Sequence, residues 1–470
     1  MPDRGGAPRA TPGGVEDLAP VHFVGVGGVG MSALASILLD RGLAVSGSDV
    51  RDSAVLHALR ARGAHVATGH AQANVGAART LVVSTAIRPG NPEVRAAQSR
   101  GIPVLHRAQV LAALMREARG IAVTGTHGKT TTTSMTALLL QRADLDPTFV
   151  IGGNVNERGT NAHRGSGEWL VAEADESDGS FLWLAPEIAV ITNVEREHVD
   201  HYANEEEIRA TFLAFAAQVV PDGVVIASAE DPGTVWLRER LERPVVTFGL
   251  RAGDWTAERT PTPGGQVLAV RYRDTALGDV PLAMPGAHNA VNALAALAAA
   301  DAAGIAFDTV AGALAEFRGP ERRFQTKGEV AGITVIDDYS HHPTEVRAAL
   351  ATARESGRRV IAVFQPHLYS RTAAFAGELG AALSEADLSV VTDVYGARED
   401  PVPGVSGKLV ADGVIAAAPR SRVAYLPRRG DIVPFVAVRA RPGDLVLTIG
   451  AGDVTMLGEE IVRALRERHG

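Results

Sequence analysis

The segment Ile121-Ala-Val-Thr-Gly-Thr-His-Gly-Lys-Thr-Thr-Thr-Thr133 joins a short apolar run to a threonine-rich one. The apolar run ends at Gly125, and a second apolar segment, Met135 to Leu140, is typical of a helix. A strand, a glycine loop, Gly-Lys-Thr and a helix in this order predict a phosphate cradle. In such a cradle the backbone N–H groups and the helix N-terminus face the anion, the lysine neutralises its charge, and the next hydroxyl binds Mg²⁺.

The lysine of this segment strengthens the prediction, because Gly-Lys-Thr also occurs where ordinary helices are capped. The glycine spacing is shorter than usual, with two residues between Gly125 and Gly128. Lys129, Lys327 and Lys408 are the lysines of the chain, whose other Lys/Arg side chains are all arginine. The presence of lysine at position 129, in a chain that otherwise uses arginine, indicates that this position needs a compact ammonium rather than a guanidinium. We therefore predict an ATP site.

Length and composition limit the possible classes of protein. At 470 residues the chain is too long for one core, and about two to four domains are expected. With 46% hydrophobic and 21% charged residues and no apolar run of about 18 residues, it is typical of a globular protein without a membrane span. The absence of cysteine excludes disulfides and is compatible with the cytoplasm, and the net charge of −8 argues against nucleic acid as a partner. Residues 1–20, rich in Gly, Pro and Arg, predict a disordered tail rather than a secretion signal.

A glycine-rich segment, Val21-His-Phe-Val-Gly-Val-Gly-Gly-Val-Gly-Met-Ser32, begins the folded part of the chain. Its glycines match G-x-G-x-x-G between a predicted strand and a predicted helix over 31–39, and Asp49 follows at the distance of a ribose-binding acid. This pattern predicts a nucleotide-binding α/β domain but does not decide which nucleotide binds. An NAD-dependent oxidoreductase is therefore an alternative function. The predicted strands of this domain are 21–24, 44–46, 80–84 and 102–105.

Acidic side chains follow a predicted strand at 169–173. They are Glu173, Asp175, Glu176 and Asp178. The next predicted strand, 188–192, is followed by His198. Because the carboxyl ends of parallel strands meet at one edge of a sheet, these side chains predict a metal site beside the phosphate loop. Imidazole is not a preferred ligand of Mg²⁺, so the ion is predicted to be Mg²⁺ or Mn²⁺.

The segment Pro285-Gly-Ala-His-Asn-Ala-Val-Asn292 precedes an alanine-rich run that predicts a helix over 293–303. His288, Asn289 and Asn292 suit either the capping of this helix or hydrogen bonds to a base or ribose, and the sequence alone leaves both open. Phe317-Arg-Gly-Pro-Glu-Arg-Arg323 follows, with residues that suit a linker and arginines that suit a phosphate.

The last third of the chain predicts another alternating α/β domain. Its predicted strands are 334–336, 360–364, 388–392, 423–426 and 445–449. Polar or glycine-rich loops follow these strands, as is usual for functional loops of open parallel sheets. The His341-His342 pair with Asp338 raises the hypothesis of a zinc site, which the lack of cysteine and of H-x₃-H spacing disfavours.

The ordered motifs of the chain resemble those of the Mur ligase family, the ATP-dependent peptide ligases of cell-wall precursor synthesis. The resemblance runs from His22 to Gly452. Its motifs are His22-Phe-Val-Gly-Val-Gly-Gly-Val-Gly-Met-Ser32, Gly125-Thr-His-Gly-Lys-Thr-Thr131, Glu173-Ala-Asp-Glu-Ser-Asp178, Thr192-Asn-Val-Glu-Arg-Glu-His198, Pro285-Gly-Ala-His-Asn289, Arg322-Arg-Phe-Gln325, Asp337-Asp-Tyr-Ser-His-His-Pro-Thr-Glu345 and Phe364-Gln-Pro-His367. The first motif is most similar to the branch that joins L-alanine to UDP-N-acetylmuramate, with the murein-peptide recycling branch as the alternative.

This resemblance implies an α/β fold of three domains. A Rossmann-like N-terminal domain over 21–118 would bind the UDP substrate. A P-loop-type ATPase domain with a mostly parallel sheet, over 119–320, would bind ATP. A Rossmann-like α/β domain over 321–470 would bind the amino acid.

The resemblance also implies the residues of the site. The UDP part of the substrate would contact Gly27, Gly28, Asp49 and Ser84. ATP would bind to Gly125, Thr126, His127, Gly128, Lys129, Thr130, Thr131, His288, Asn289, Asn292, Arg323 and Asp338. Thr130 would hold one Mg²⁺ or Mn²⁺, Glu173 would bridge to a metal, and His198 would hold the second ion. Lys129, Glu173 and His198 would be the catalytic residues. L-alanine would bind to Tyr339, His341, His367 and Arg371.

The chain departs from the family pattern at three places. Leu368 replaces an arginine found in many relatives, so alanine recognition is expected to depend more on Arg371. His163 replaces a basic residue after Thr-Asn-Ala, and no lysine lies between Lys129 and Lys327. The carbamylated lysine that later members use as a metal ligand is therefore absent from the central domain, as expected of the alanine-adding branch.

The partners implied are the small molecules UDP-N-acetylmuramate, L-alanine and ATP, with no nucleic acid and no membrane span. ATP is a substrate and Mg²⁺, or Mn²⁺, the metal. A cytoplasmic location is expected. The sequence leaves a monomer and a homodimer both open.

Overall fold

The computed structural model describes residues 14–88, 90–155, 160–199, 201–397 and 399–469. Residues 14–20 differ from the predicted disordered tail, most of which lies outside the described residues. Glu16–Leu18 form a short 3₁₀ helix, and Val15 and Leu18 are buried in a hydrophobic core. The Val15 N–H also donates to Oε1 of Glu117, at 2.8 Å. The prediction is thus wrong for 14–20, because two apolar side chains fix this segment.

The first unit of the fold is a sheet with helices on both sides. Its strands are β1 (Val21–Val24), β2 (Val45–Asp49), β3 (His65–Thr68), β4 (Thr80–Val83) and β5 (Val104–His106), and its helices are α1 (Val29–Asp40), α2 (Ala54–Ala61), α3 (Pro92–Ser99) and α4 (Arg107–Arg116). All strand pairs are parallel, in the order β3-β2-β1-β4-β5. The order reverses between β1 and β4, which is where ligands bind in open α/β sheets.

The second unit contains a ten-stranded sheet. Its strands are β6 (Arg119–Thr124), β7 (Thr148–Val155), β8 (Thr160–His163), β9 (Trp169–Glu173), β10 (Ile188–Ile191), β11 (Val224–Ser228), β12 (Val245–Phe248), β13 (Trp255–Thr262), β14 (Gly265–Tyr272) and β15 (Thr275–Leu282). Its helices are α5 (Lys129–Arg142), α6 (Glu205–Ala217), α7 (Pro232–Arg238), α8 (Ala287–Ala302) and α9 (Phe307–Val310).

The strand order is β15-β14-β13-β12-β11-β10-β6-β9-β7-β8, parallel in the middle and antiparallel at both edges. Apart from the exposed Arg119 at the start of β6, the central strands β6 and β10 are buried on both faces and mostly apolar, as parallel strands covered by helices require. Gly152 and Gly153 lie in β7, and residues 160–162 lie in β8, so the loops predicted there are strands. Gly159, part of one predicted loop, lies outside the described residues.

The third unit is a six-stranded sheet. Its strands are β16 (Gln325–Val330), β17 (Ile333–Asp338), β18 (Val360–Phe364), β19 (Leu388–Val391), β20 (Val423–Tyr425) and β21 (Leu445–Ile449). Its helices are α10 (Pro343–Glu355), α11 (Tyr369–Leu383), α12 (Gly407–Ala417), α13 (Ile432–Arg439) and α14 (Thr455–His469). The order is β16-β17-β21-β18-β19-β20, and only β16 pairs antiparallel. The predicted three-domain α/β fold is confirmed.

The hydrophobic cores divide the chain differently from the three sheets. One core joins α1 and α4 of the first unit to residues of the second unit such as Ala172, Phe181 and Leu237. The cores on the two faces of the third sheet are separate clusters. No described helix is both long and apolar enough to cross a membrane.

Candidate active site

The loop after β6 turns at two positions that require glycine. Gly125 has a φ of 131° and Gly128 a φ of 81°. A Cβ atom on Gly125 would lie 2.1 Å from Oγ1 of Thr192, and one on Gly128 would lie 2.5 Å from Oδ1 of Asn292. Gly128 is also the N-cap of α5, whose first N–H groups have no partner within the helix. The strand, loop and helix geometry predicted from the sequence is therefore present.

The side chain of Lys129 folds back over this loop. Its Nζ donates to the backbone oxygens of Gly125 and Thr126, at 2.6 and 3.2 Å, and to Oε1 of Glu176, at 2.7 Å. Burial opposes the charged ammonium, but the carboxylates of Glu176 and Asp175 outweigh it and raise the pKa of Lys129. Lys129 is thus a permanent positive charge beside the first turn of α5.

Glu173 ends β9 beside Thr130, the residue after the lysine. Its Oε2 accepts the N–H of Gly152 at 2.8 Å, and the Thr130 hydroxyl also bonds to this carboxylate. Burial raises the pKa of Glu173 despite these bonds and the charge of Lys129. A carboxylate and a hydroxyl are the oxygen ligands that Mg²⁺ prefers, and a cation there would offset the buried charge. Thr130 and Glu173 therefore fit the predicted divalent ion.

His198 lies beside Glu176, a contact that the sequence did not predict. It lies in the loop after β10 with a φ of 51°, and its Nε2 is 3.2 Å from Oε1 of Glu176. The same oxygen accepts from Lys129, while Oε2 of Glu176 is buried without a hydrogen-bond partner. Glu176 therefore connects His198 with Lys129. The sequence placed Glu176 in the acidic cluster, but its spacing gave no signal that it turns towards the lysine.

The other two acids of the cluster contact the first unit. Oδ2 of Asp175 accepts from Arg107 at 2.6 Å, and Oδ2 of Asp178 lies 3.4 Å from Nε2 of His106. Burial opposes ionisation, but Arg107 and Lys129 lower the pKa of Asp175 to about 2. The acidic cluster thus divides into residues at the phosphate loop and residues that hold the first and second units together.

The residues predicted to contact UDP lie at the carboxyl edge of the first sheet. The Gly27 N–H donates to Oδ2 of Asp49 at 2.9 Å, and Gly28 is the N-cap of α1. Ser84 follows β4 on the other side of the point where the strand order reverses. Gly28 and Ser84 line a cavity of about 710 Å³ that also reaches Lys129. All three units contribute to this cavity, which includes Arg107, Glu173, His198, Tyr339 and His341.

A second cavity, of about 410 Å³, lies on the other side of the phosphate loop. It brings together most of the residues predicted to bind ATP, namely His127, Gly128, Thr131, His288, Asn289, Asn292, Arg323 and Asp338. The Nδ2 of Asn289 donates to the backbone oxygen of Pro285 at 2.8 Å, but the N-cap of α8 is Gly286 and no described side chain caps this helix. Of the two uses that the sequence left open for this segment, the geometry therefore does not support capping.

The residues predicted to bind L-alanine are only partly in contact with the large cavity. Tyr339 and His341 line it, whereas Arg371 is buried in an ion pair with Oε1 of Glu197, at 2.7 and 2.9 Å. A nitrogen of Arg371 also lies 2.8 Å from Nδ1 of His367. Burial lowers the pKa of His341 to about 3, so its imidazole is neutral. Glu197 was not predicted from the sequence, and nothing in its local pattern marks a partner 174 positions away.

Leu368, which departs from the family pattern, has a buried side chain and a φ of 65° at the N-cap of α11. Its N–H donates to the backbone oxygen of Tyr395 at 3.0 Å. His163 lies in β8, with Nε2 3.1 Å from Oδ1 of Asp146. Neither side chain lines either of the two cavities.

The phosphate loop, the strand-end carboxylates and a cavity shared by three α/β units define a nucleotide-dependent enzyme with several substrates. Three family models match the chain: the Mur ligase family catalytic domain over 20–119, the Mur ligase middle domain over 123–300 and the Mur ligase glutamate ligase domain over 322–452. The chain belongs to the Mur ligase family.

Individual relatives are similar over nearly their whole length. A UDP-N-acetylmuramate–L-alanine ligase of Saccharopolyspora erythraea is 50% identical over 96% of this chain and 94% of its own. The structure of a UDP-N-acetylmuramate-alanine ligase from Thermotoga maritima has a TM-score of 0.78 and 31% identity, covering 95% of this chain and 99% of that one. A murein peptide ligase from Psychrobacter arcticus has a TM-score of 0.69 and 25% identity, covering 95% and 98%.

Proposed function

We propose that the chain is an ATP-dependent ligase that joins L-alanine to the lactyl carboxylate of UDP-N-acetylmuramate, in peptidoglycan precursor synthesis. The observation that carries this function is the full-length similarity to enzymes named for the same reaction, at up to 50% identity. The cavity lined by all three units supports it, because three substrates must meet. Roles in cell-wall biogenesis, cell shape and cell division would follow from this reaction. A cytoplasmic location is proposed with it.

The binding assignments follow the two cavities. The large cavity would take the UDP substrate along Gly28 and Ser84, with its acceptor carboxylate directed towards Lys129. The smaller cavity would take the adenosine part of ATP, with its phosphates passing the loop at Gly128. The domain boundaries 21–118, 119–320 and 321–470 are proposed because each range contains one of the three sheets.

The proposed reaction proceeds in two steps. The lactyl carboxylate attacks the γ-phosphorus of ATP, which forms an acyl phosphate and releases ADP. The amine of L-alanine then attacks the acyl carbon, forms the amide and releases phosphate. Attack of one anion on another requires positive charge at the transferring group, and Lys129 and the loop N–H groups supply it.

Thr130 is proposed to hold one Mg²⁺, Glu173 to bridge to a metal, and His198 to hold the second ion. When bound, the ions would neutralise phosphate oxygens. The Lys129 ammonium is held in place by Glu176, which also lies beside His198. As an alternative to holding the metal, His198 is proposed as the acceptor of the proton that the alanine amine loses, since its one lone pair serves either role but not both at once.

Two alternative functions leave different signatures. A murein-peptide recycling ligase would use a peptide in place of L-alanine. An NAD-dependent oxidoreductase would use the glycine-rich loop of the first unit but would leave Lys129, Glu173 and His198 without a role. The oxidoreductase also conflicts with membership of the Mur ligase family.

The test of the function measures phosphate release from ATP with UDP-N-acetylmuramate and a panel of amino acids, with a murein peptide and NAD as further additions. Phosphate release that depends on L-alanine is expected. Release with the murein peptide but not with L-alanine would contradict the proposal.

The test of the site is Lys129→Ala, compared with Lys408→Ala as a matched control. Lys408 is exposed and pairs only with Asp412 on the same helix, in the described contacts. Lys129→Ala should reduce ATP turnover by at least about 100-fold while UDP-substrate binding persists, since the lost group contacts the transferring phosphate. Substantial ligase activity in Lys129→Ala would refute its assignment.

A further inference from the structure

Three side chains beside the phosphate loop bring ligand atoms together outside the predicted Mg²⁺ site. They are His127 on the loop, Glu195 after β10 and His342 at the N-cap of α10, and each offers a ligand atom within 4.8 Å of the others. Nε2 of His127 is 3.4 Å, and Nδ1 of His342 is 3.8 Å, from Oε2 of Glu195. Ligand atoms around one tetrahedral ion at about 2.05 Å lie about 3.3 Å apart. A small contraction of the cluster would therefore suffice to hold an ion.

The outer nitrogen of each imidazole faces an oxygen acceptor. Nδ1 of His127 lies 3.4 Å from Oε1 of Glu345, and Nε2 of His342 lies 3.2 Å from the backbone oxygen of Arg196. Because these oxygens accept hydrogen bonds, the outer nitrogens are the ones that carry hydrogen. The inner nitrogen of His342 then presents a lone pair towards Glu195, and Nε2 of His127 presents one once an ion has displaced its proton. An oxygen acceptor on the far nitrogen is the arrangement that orients metal-bound histidines.

The inner atoms are available to an ion. Nε2 of His127 is buried and has no hydrogen-bond partner. Nδ1 of His342 caps α10: it accepts from the Thr344 N–H, at 3.4 Å, and the His342 side chain also accepts from the backbone N–H of Glu345, bonds that an ion would replace. Oε2 of Glu195 accepts from Oγ1 of Thr344 at 2.7 Å, which orients the carboxylate and leaves its other lone pairs free.

We infer that His127, Glu195 and His342 form a binding site for one divalent transition-metal ion of the zinc type. Two imidazoles and one carboxylate are a ligand set for Zn²⁺, Co²⁺ or Ni²⁺, whereas Mg²⁺ prefers oxygen ligands alone. The smaller cavity touches His127 and Glu195, so the ion has an entry path. The site does not depend on the proposed reaction.

The ion would connect two units of the fold. His127 and Glu195 belong to the second unit and His342 to the third, and the rings of the two histidines lie 4.6 Å apart. The local charges favour a cation at this place. Burial opposes protonation, yet Glu195 and Glu345 outweigh it and raise the pKa of His127 to about 9. A bound ion would replace that proton and hold the second and third units in their present arrangement.

The experiment uses the full-length protein without nucleotide, in excess Mg²⁺ so that sites made of oxygen ligands are filled. Co²⁺ is the spectroscopic probe and Zn²⁺ its competitor. We expect one equivalent of Co²⁺ with an intense visible spectrum, displaced by Zn²⁺. Glu195→Gln and His342→Gln should each weaken Co²⁺ binding by more than about 10-fold. Glu345→Ala, which removes the outer partner of His127 and no ligand, should weaken it by about 10- to 100-fold.

Two controls locate the ion. His163→Gln changes a histidine of β8 outside the cluster, and His198→Gln changes the imidazole of the predicted Mg²⁺ site; both should bind Co²⁺ as the wild type does. Loss of binding in His198→Gln with retention in His342→Gln would overturn the inference.

Near-UV circular dichroism in chelator establishes that each variant is folded. If a variant does not fold, X-ray absorption of the wild-type Co²⁺ protein decides: two imidazole ligands support the site, and oxygen ligands alone refute it.

Discussion

Replacing Arg371 by alanine should destabilise the contact between the second and third units. Its Nε and a terminal nitrogen both donate to Oε1 of Glu197, at 2.9 and 2.7 Å. Arg371 is 6% exposed and Glu197 is 4% exposed, so water cannot replace the lost partner. Removal of one member of such a buried pair costs about 3–5 kcal/mol, because the other charge remains buried. For a unit of about 150 residues this corresponds to a decrease in Tm of roughly 6–20 °C.

Differential scanning calorimetry of the full-length protein measures this decrease. Arg354→Ala is the matched control, since Arg354 is exposed and lies 3.8 Å from Glu385 on the surface, where an ion pair contributes at most about 1 kcal/mol. The double variant Glu197→Gln/Arg371→Ala should be less destabilised than the sum of its single variants, because it leaves no buried charge. A change in Tm no larger than that of Arg354→Ala, or strictly additive single variants, would refute the reasoning.

The same variant tests the predicted alanine site. If Arg371 also binds the alanine carboxylate, Arg371→Ala should raise the KM for L-alanine much more than the KM for ATP. Equal changes in both constants would remove Arg371 from the alanine site and leave it only its contact with Glu197. Steady-state kinetics below the Tm of the variant separate these outcomes.

Three further predictions concern other parts of the chain. Gly125→Ala should abolish ATP binding, measured by calorimetric titration, because its Cβ would lie 2.1 Å from Oγ1 of Thr192; binding at wild-type affinity would contradict the geometry of the loop. Glu93→Ala should lower the free energy of unfolding by about 3 kcal/mol in urea titrations, since the fully buried carboxylate accepts from Asn74 at 2.6 Å and its loss leaves buried donors unpaired; a change below about 0.5 kcal/mol would contradict this. The raised pKa of His127 contributes stability that is complete below pH 6.5 and lost as the pH rises through about 9. Between these pH values, in chelator, the wild type should therefore lose up to about 3 kcal/mol of its free energy of unfolding, and His127→Gln should not show this loss. The same pH profile in both proteins would exclude this contribution of His127.

Strands with continuous apolar sequences could be predicted from the sequence almost to the residue. The segments Val21–Val24, Trp169–Glu173, Val360–Phe364 and Leu445–Ile449 are strands as predicted, because parallel strands covered on both faces need apolar side chains at every position. The meander of β13, β14 and β15 was not predicted. Its strands are exposed on one face and contain Pro, Gly and charged residues, so their pattern resembles that of loops.

The local parts of the site were predictable and the long-range parts were not. Gly125, Gly128 and Lys129 are close in sequence, and their spacing contains the geometry of the loop. The contacts of Glu197 with Arg371 and of Asp175 with Arg107 connect residues of different units. No local pattern marks such pairs, because they depend on how the units pack.

The core that joins the first and second units has a consequence for dividing the protein into fragments. A chain cut near residue 120 would expose the faces of α1 and α4 that share one hydrophobic core with Ala172 and Phe181, and both pieces should aggregate when produced separately. A cut near residue 321 leaves the third unit with its own two cores, so this piece should fold by itself and reassociate with the rest. The first and second units thus form one body and the third unit forms another. Any opening and closing of the enzyme is expected to occur between these two bodies, near residue 321.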